Sequence, residues 1–65
     1  MQVTINGELR NVSENLTIID LLNEMKIDGK IAVEVNQEIL PRSQFGDYHL
    51  KPDDTLEIVH AIGGG

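Results

Sequence analysis

Three glycines, Gly63, Gly64 and Gly65, close a chain of 65 residues. They present one group able to enter covalent chemistry, the α-carboxyl of Gly65. That group is ionised at neutral pH. A carboxylate is a poor electrophile, so it becomes an acyl donor only after activation, for instance as an acyl-adenylate. Glycines suit such an end, because without Cβ atoms they enter narrow channels and adopt φ values closed to other residues. Counted from Ala61, the last five residues reach roughly 16–18 Å when extended. With no side chains to pack, residues 63–65 are expected to form a flexible tail.

Other reactive groups are sparse. The two histidines, His49 and His60, fit a loop and a sheet rim. Zinc needs three or four convergent ligands, and no such spacing is present. Asp53 and Asp54 read as a polar turn, and Asp47 has no evident acid–base partner. No metal, bound cofactor or catalytic constellation is expected. Cysteine is absent, which removes disulfides, cysteine–zinc sites and thiolate-held iron–sulfur clusters.

Eleven Asp and Glu against five Lys and Arg give a net charge of −6. That balance disfavours nucleic acid, which needs clustered cations. It leaves open either a solvated surface or a docking face for a basic protein. The length allows one small domain. No apolar run approaches the 18 or so residues of a membrane span, and the first residues resemble no export signal. A cytoplasmic protein with no membrane contact is expected.

The elements that must position the tail are legible from periodicity. Met1, Val3 and Ile5 alternate with polar residues and predict a strand. Asn6-Gly7 then predicts a hairpin. A two-residue turn would set Glu8 beside Ile5 and Arg10 beside Val3, so a three-residue loop pairing Ile5 with Leu9 fits the hydrophobic pattern better. Ile18, Leu21, Leu22 and Met25 mark one face of a helix. Thr17 is its N-cap, Asp20 its N3 residue, and Leu16 with Leu21 a hydrophobic staple. Lys26 lies near its end and Gly29 offers a left-handed exit. Ile31, Val33 and Val35 predict a strand, Ile39-Leu40 a short one before Pro41, and Ser43 to Tyr48 one irregular turn. Lys51 to Asp54 reads as a β-turn with Pro52 second. Thr55 to Ile62 is the last strand, expected to pair in parallel with the first. The fold class is α+β: a mixed sheet of four to five strands with one helix across it.

Taken together, these residues resemble the ThiS family of sulfur carriers in thiamine biosynthesis, with the ubiquitin-like β-grasp fold. The likeness spans almost the whole chain. Its most specific part runs from Val33-Glu34-Val35-Asn36 through Ile39-Leu40-Pro41-Arg42, with Phe45 following. Thr17 to Leu22, Asp53 to Ile58 and the terminal Gly64-Gly65 add to it. The third glycine, Gly63, departs slightly from the pattern.

The resemblance implies a β-grasp domain over residues 1–62 and a tail over 63–65. It implies that an E1-like adenylyltransferase uses ATP to adenylate Gly65, that a sulfur-relay protein supplies sulfur to make a thiocarboxylate, and that thiazole synthase receives it. Gly63 and Gly64 would thread the tail into each partner. By analogy the partners grip the sheet face away from the helix, where Val59, Ile62 and Leu40 are candidate apolar contacts or else core. Arg42 is a candidate for bonding the tail or a partner carboxylate, or for a structural ion pair. The chain itself would be a carrier and not an enzyme. Two other readings stay open: a small subunit of molybdopterin synthase, and a ubiquitin-like interaction module that is never activated.

Overall fold

The computed structural model describes residues 1–60. Strand β1 (Gln2–Ile5) and β2 (Glu8–Asn11) form a hairpin. Helix α1 (Ile18–Glu24) follows, then the hairpin of β3 (Ile31–Val35) and β4 (Glu38–Leu40), a 3-10 turn (Arg42–Gln44) and β5 (Thr55–His60). The strands make one sheet in the order β2-β1-β5-β3-β4. As the sequence predicts, β1 and β5 pair in parallel, Thr4 with Thr55 and Ile5 with Leu56. The other neighbours are antiparallel. This is the expected α+β arrangement of five strands and one helix. The predicted last two residues of β5, Ala61 and Ile62, and the domain boundary after residue 62 lie outside the described residues.

Alternation decides which face is buried. Val3 and Ile5 of β1, Ile31, Val33 and Val35 of β3, and Leu56 and Ile58 of β5 all point to the helix side. There they meet Ile18, Leu21 and Leu22 of the helix, with Leu16, Phe45 and Leu50 from the loops that flank it. Burial of aliphatic side chains of this size stabilises by roughly 1.5–3 kcal/mol each, before chain entropy is set against it.

The helix is only seven residues long, too short to persist alone, so its ends are tied to the rest of the fold. The Ile18 N–H donates to the Tyr48 carbonyl at 3.3 Å and the Ile19 N–H to the Phe45 carbonyl at 3.1 Å. The Asp20 N–H donates to Thr17 Oγ1 at 3.1 Å, and the Thr17 N–H donates back to the Asp20 carboxylate at 3.2 Å. That is the predicted capping box, and it leaves the first turn with no orphan donor.

Two local expectations differ from the structure. The first hairpin uses the two-residue turn, with Asn6 at φ 51° and Gly7 at φ 84°. Its register is Ile5 with Glu8, Thr4 with Leu9 and Val3 with Arg10. The objection to this register was charge beside the core. It fails because β2 is an edge strand with every residue exposed, so Glu8 and Arg10 keep their charges in water. Leu9 lands on the opposite face, 70% exposed.

The helix exit also differs. Gly29 is left-handed, at φ 94°, but the turn that ends the helix is made at Lys26, at φ 58°. The Ile27 N–H reaches the Leu22 carbonyl at 2.9 Å and the Lys26 N–H the Asn23 carbonyl at 3.1 Å. This pairing is a Schellman motif, which usually carries glycine at the position that Lys26 occupies. A left-handed non-glycine residue costs about 1–2 kcal/mol, against roughly 0.5–1 kcal/mol of extra chain entropy lost when glycine folds. Lys26→Gly is therefore expected to stabilise the domain by about 0.5–1 kcal/mol, read as a raised midpoint in urea. A lower midpoint would contradict this account of the helix end.

Candidate functional site

Strand β5 is the stem that carries the chain toward its C-terminal residues, and the fold fastens it from both sides. The two hairpin turns each present an asparagine to it. At the β1–β2 turn, Asn6 Nδ2 donates to the Ile58 carbonyl at 3.1 Å, and the Ile58 N–H donates to Asn6 Oδ1 at 2.8 Å. The side chain thus extends the short β1–β5 ladder beyond the end of β1. At the β3–β4 turn, Asn36 (φ 52°) and Gln37 (φ 72°) are both left-handed, the conformation of a type I′ hairpin. Here the Thr55 N–H donates to Asn36 Oδ1 at 3.0 Å and the Asn36 N–H to the Thr55 carbonyl at 2.7 Å.

Asp54 locks the base of the stem. It is 5% exposed, and its carboxylate accepts from three donors: Asn36 Nδ2 at 3.0 Å, the Tyr48 hydroxyl at 2.9 Å and the Lys51 N–H at 2.9 Å. Lys51 Nζ also lies 4.5 Å from the centre of the Tyr48 ring. Burial pushes the Asp54 carboxyl up, but the hydrogen bonds from Lys51, Asn36 and Tyr48 and the Lys51 charge outweigh it and hold the carboxyl below the ordinary aspartate value. Burial, followed by the hydrogen bond to Asp54, pushes the Tyr48 hydroxyl up. Asp54 is therefore committed to structure. The predicted turn over Lys51 to Asp54 is present, closed by the Asp54 N–H on the Lys51 carbonyl at 3.1 Å. Only Asp53 in it is an exposed acid of the kind expected. The signal that separates the two is the position of Asp54 immediately before an alternating strand.

The sequence-predicted site residues fall in different places. Gly63, Gly64, Gly65 and Ile62 lie outside the described residues. Val59 is 55% exposed and pairs with Ala32 on the face away from the helix, as expected. Leu40 is opposite Val33, a buried helix-side residue, so it is a half-buried flank of the core and does not reach the open face. The reason is register: the two-residue turn at Asn36-Gln37 puts Leu40 in phase with Val33 and hands the open face to Ile39. That residue is 77% exposed, and the sequence pattern marks it only as part of a short apolar strand, not as a residue of the open face. The open face thus carries Leu9, Ile39 and Val59 around a directly opposed pair of acids, Glu34 and Glu57.

Arg42 begins the 3-10 turn, and its Nη2 donates to the Gly29 carbonyl at 2.8 Å. This backbone tie was not among the roles expected for it. His60 ends the described part of β5 opposite Ile31, and His49 forms a bridge with Thr17; both are exposed. Among the described residues, no group of three or more His, Asp or Glu side chains is placed to hold a metal. No helix there is long and apolar enough to cross a membrane.

Because the folded Asp54 carboxyl titrates below its unfolded value, its contribution to stability is fully present above the unfolded pKa. It is lost as pH falls through the folded one. Urea midpoints of the wild type are expected to fall steadily between about pH 5 and about pH 2, and Asp54→Asn to flatten that acid limb. Asp54→Ala, which strands three donors, is expected to lose on the order of 2–4 kcal/mol at neutral pH. An acid limb unchanged in Asp54→Asn would contradict the lock.

Comparison with known proteins places this geometry. Residues 3–65 match the family model described as ThiS family. The crystal structure of a thiamine biosynthesis protein (ThiS) from Geobacter metallireducens has a TM-score of 0.88 at 33% identity, with all of both chains covered. The sulfur carrier protein ThiS of Bacillus subtilis is 42% identical over 50 residues, which cover 75% of this chain and 76% of that one. A thiazole synthase of Paramagnetospirillum magneticum is 47% identical over 66 aligned positions, covering all of this chain. The chain spans only about a fifth of that synthase, 20% of its length.

Proposed function

The chain belongs to the ThiS family, and from that premise we propose that it is a sulfur carrier for building the thiazole of thiamine. The observation that carries the proposal is the family match, which runs through residue 65 and so takes in the glycine end. In this reading an E1-like adenylyltransferase joins the Gly65 carboxylate to ATP, expelling pyrophosphate and leaving an acyl-adenylate. Sulfur at the oxidation level of sulfide, delivered by a relay protein, then attacks the carbonyl carbon; the C–S bond forms, the C–O bond to AMP breaks, AMP leaves, and the C-terminus becomes a thiocarboxylate. That group is ionised at neutral pH and is a softer nucleophile than the carboxylate. Thiazole synthase takes the sulfur from it. The carrier binds no cofactor of its own, and ATP is bound and used by the partner. We assign its action to the cytoplasm.

The domain serves as the handle. Val59 and Arg42 are the described side chains we assign to partner contact, with Ile39 taking the place first given to Leu40. Gly63 and Gly64 give the terminus its passage into the partners' channels. Support for thiazole synthase as a recipient comes from the synthase that holds, within its own chain, a stretch 47% identical to this one. Two modules on one chain meet at a high effective concentration. The family match favours this reading over a molybdopterin synthase subunit or a module that is never activated.

Protein made in cells with active thiamine synthesis is expected to contain a fraction heavier by about 16 Da at Gly65, one oxygen replaced by sulfur. Fragmentation must separate it from methionine sulfoxide at Met1 or Met25, which gives a similar shift. Deleting Gly64 and Gly65 together, which removes the Gly-Gly terminus, should abolish rescue of a thiamine auxotroph while leaving the melting temperature unchanged. Rescue by the shortened chain would overturn the carrier mechanism.

A further inference from the structure

We propose that the Asn6-Gly7 turn is a deamidation site that the hydrogen bonds to β5 keep closed. The inference concerns the fold's own chemistry and stands apart from the carrier reading. The chain has five asparagines, and only Asn6 precedes a glycine. Deamidation begins when the backbone nitrogen of the following residue attacks the asparagine side-chain carbon. A side chain on that following residue hinders the approach, and glycine has none. Asn6 and Gly7 are both exposed, so water and hydroxide reach the turn. All five asparagines are exposed, so it is the following glycine that makes this amide intrinsically the most susceptible of them.

The structure opposes the reaction by hydrogen bonding, not by burial. Both polar atoms of the Asn6 side chain are engaged with one residue, Oδ1 with the Ile58 N–H at 2.8 Å and Nδ2 with the Ile58 carbonyl at 3.1 Å. Two bonds to one strand residue fix the plane of the amide against β5. For the reaction, Cγ must swing onto the Gly7 nitrogen, and both bonds must break. A Gly7 N–Cγ bond then forms, the Gly7 proton leaves, the Cγ–Nδ2 bond breaks and Nδ2 departs as ammonia. Water opens the resulting ring at either carbonyl, giving aspartate or isoaspartate at position 6, with no change of oxidation state. The reaction therefore passes through an opened state in which Asn6 has released β5.

Once formed, the product does not restore the clamp. A carboxylate at position 6 has no donor for the Ile58 carbonyl and sets two acceptors face to face. The isoaspartyl form adds a backbone atom to a two-residue turn whose left-handed φ values, 51° and 84°, fix the hairpin register. Among the described residues β1 and β5 share two paired positions, Thr4 with Thr55 and Ile5 with Leu56, so the seam has little redundancy.

The test follows conversion at Asn6 in the full chain by peptide mass spectrometry, in mildly alkaline buffer with and without denaturing urea. Conversion is expected to be roughly tenfold or more slower in the folded protein. Equal rates in the two conditions would overturn the proposed gating. In parallel, Asn6→Asp is expected to melt at least about 4 °C below the wild type. A variant melting with the wild type would overturn the claim that the product loses the clamp.

Discussion

Strand β5 has neighbours on both sides, and the rest of the structure is arranged around keeping it in register. Two paired positions join it to β1, which is little for a parallel seam at the centre of a sheet. The deficit is made up by side chains. Asn6 completes the β1 side at Ile58, and Asn36 completes the β3 side at Thr55. Asp54 then collects Asn36, Tyr48 and the Lys51 N–H at the point where the strand begins. A buried carboxylate is costly unless its lone pairs are met, and here three donors meet them. Loosening any of these contacts frees the strand that leads to the C-terminus.

This arrangement explains how so small a protein can hold its last described strand firmly without a disulfide, the chain having no cysteine. The core is a single layer between one sheet face and a two-turn helix, with Leu16, Phe45 and Leu50 added from the loops. Those loops are also tied to the helix start by backbone hydrogen bonds. The other sheet face is left open, with Leu9, Ile39 and Val59 exposed beside Glu34 and Glu57. Like charges directly opposite one another oppose pairing, so this face is not shaped by stability alone. A carrier that lets partners perform the chemistry needs such a face for recognition and a firm stem behind its terminus.

Much of this was legible in the sequence where one local rule sufficed. Thr17 and Asp20 announce the helix start because capping is a contact three residues long. The strands β1, β3 and β5 announce themselves because each buries one complete alternating set. The failures have two causes. The register of the first hairpin depends on β2 being an edge strand, a fact of the whole sheet that Glu8 and Arg10 do not carry in their own pattern. Leu40 and Ile39 exchange faces because the turn at Asn36-Gln37 sets their phase. Lys26 takes a conformation suited to glycine because Ile27 must return to Leu22. Asp54 looks like its neighbour Asp53 until Asn36 and Tyr48 arrive from other parts of the chain. The first hairpin and Asp54 depend on distant segments, whereas Lys26 and the phase of Ile39 and Leu40 depend on turn geometry that their residue types do not announce.

In the proposed role the Gly65 carboxylate is the reacting group and the domain is its handle. The most direct measurement is ATP–pyrophosphate exchange by a purified E1-like adenylyltransferase of the thiamine pathway. The intact chain is compared with the same chain carrying a C-terminal amide, which blocks the carboxylate and leaves every side chain in place. Exchange is expected to depend on the intact chain and to disappear with the amidated one. Equal exchange with both chains would contradict that role.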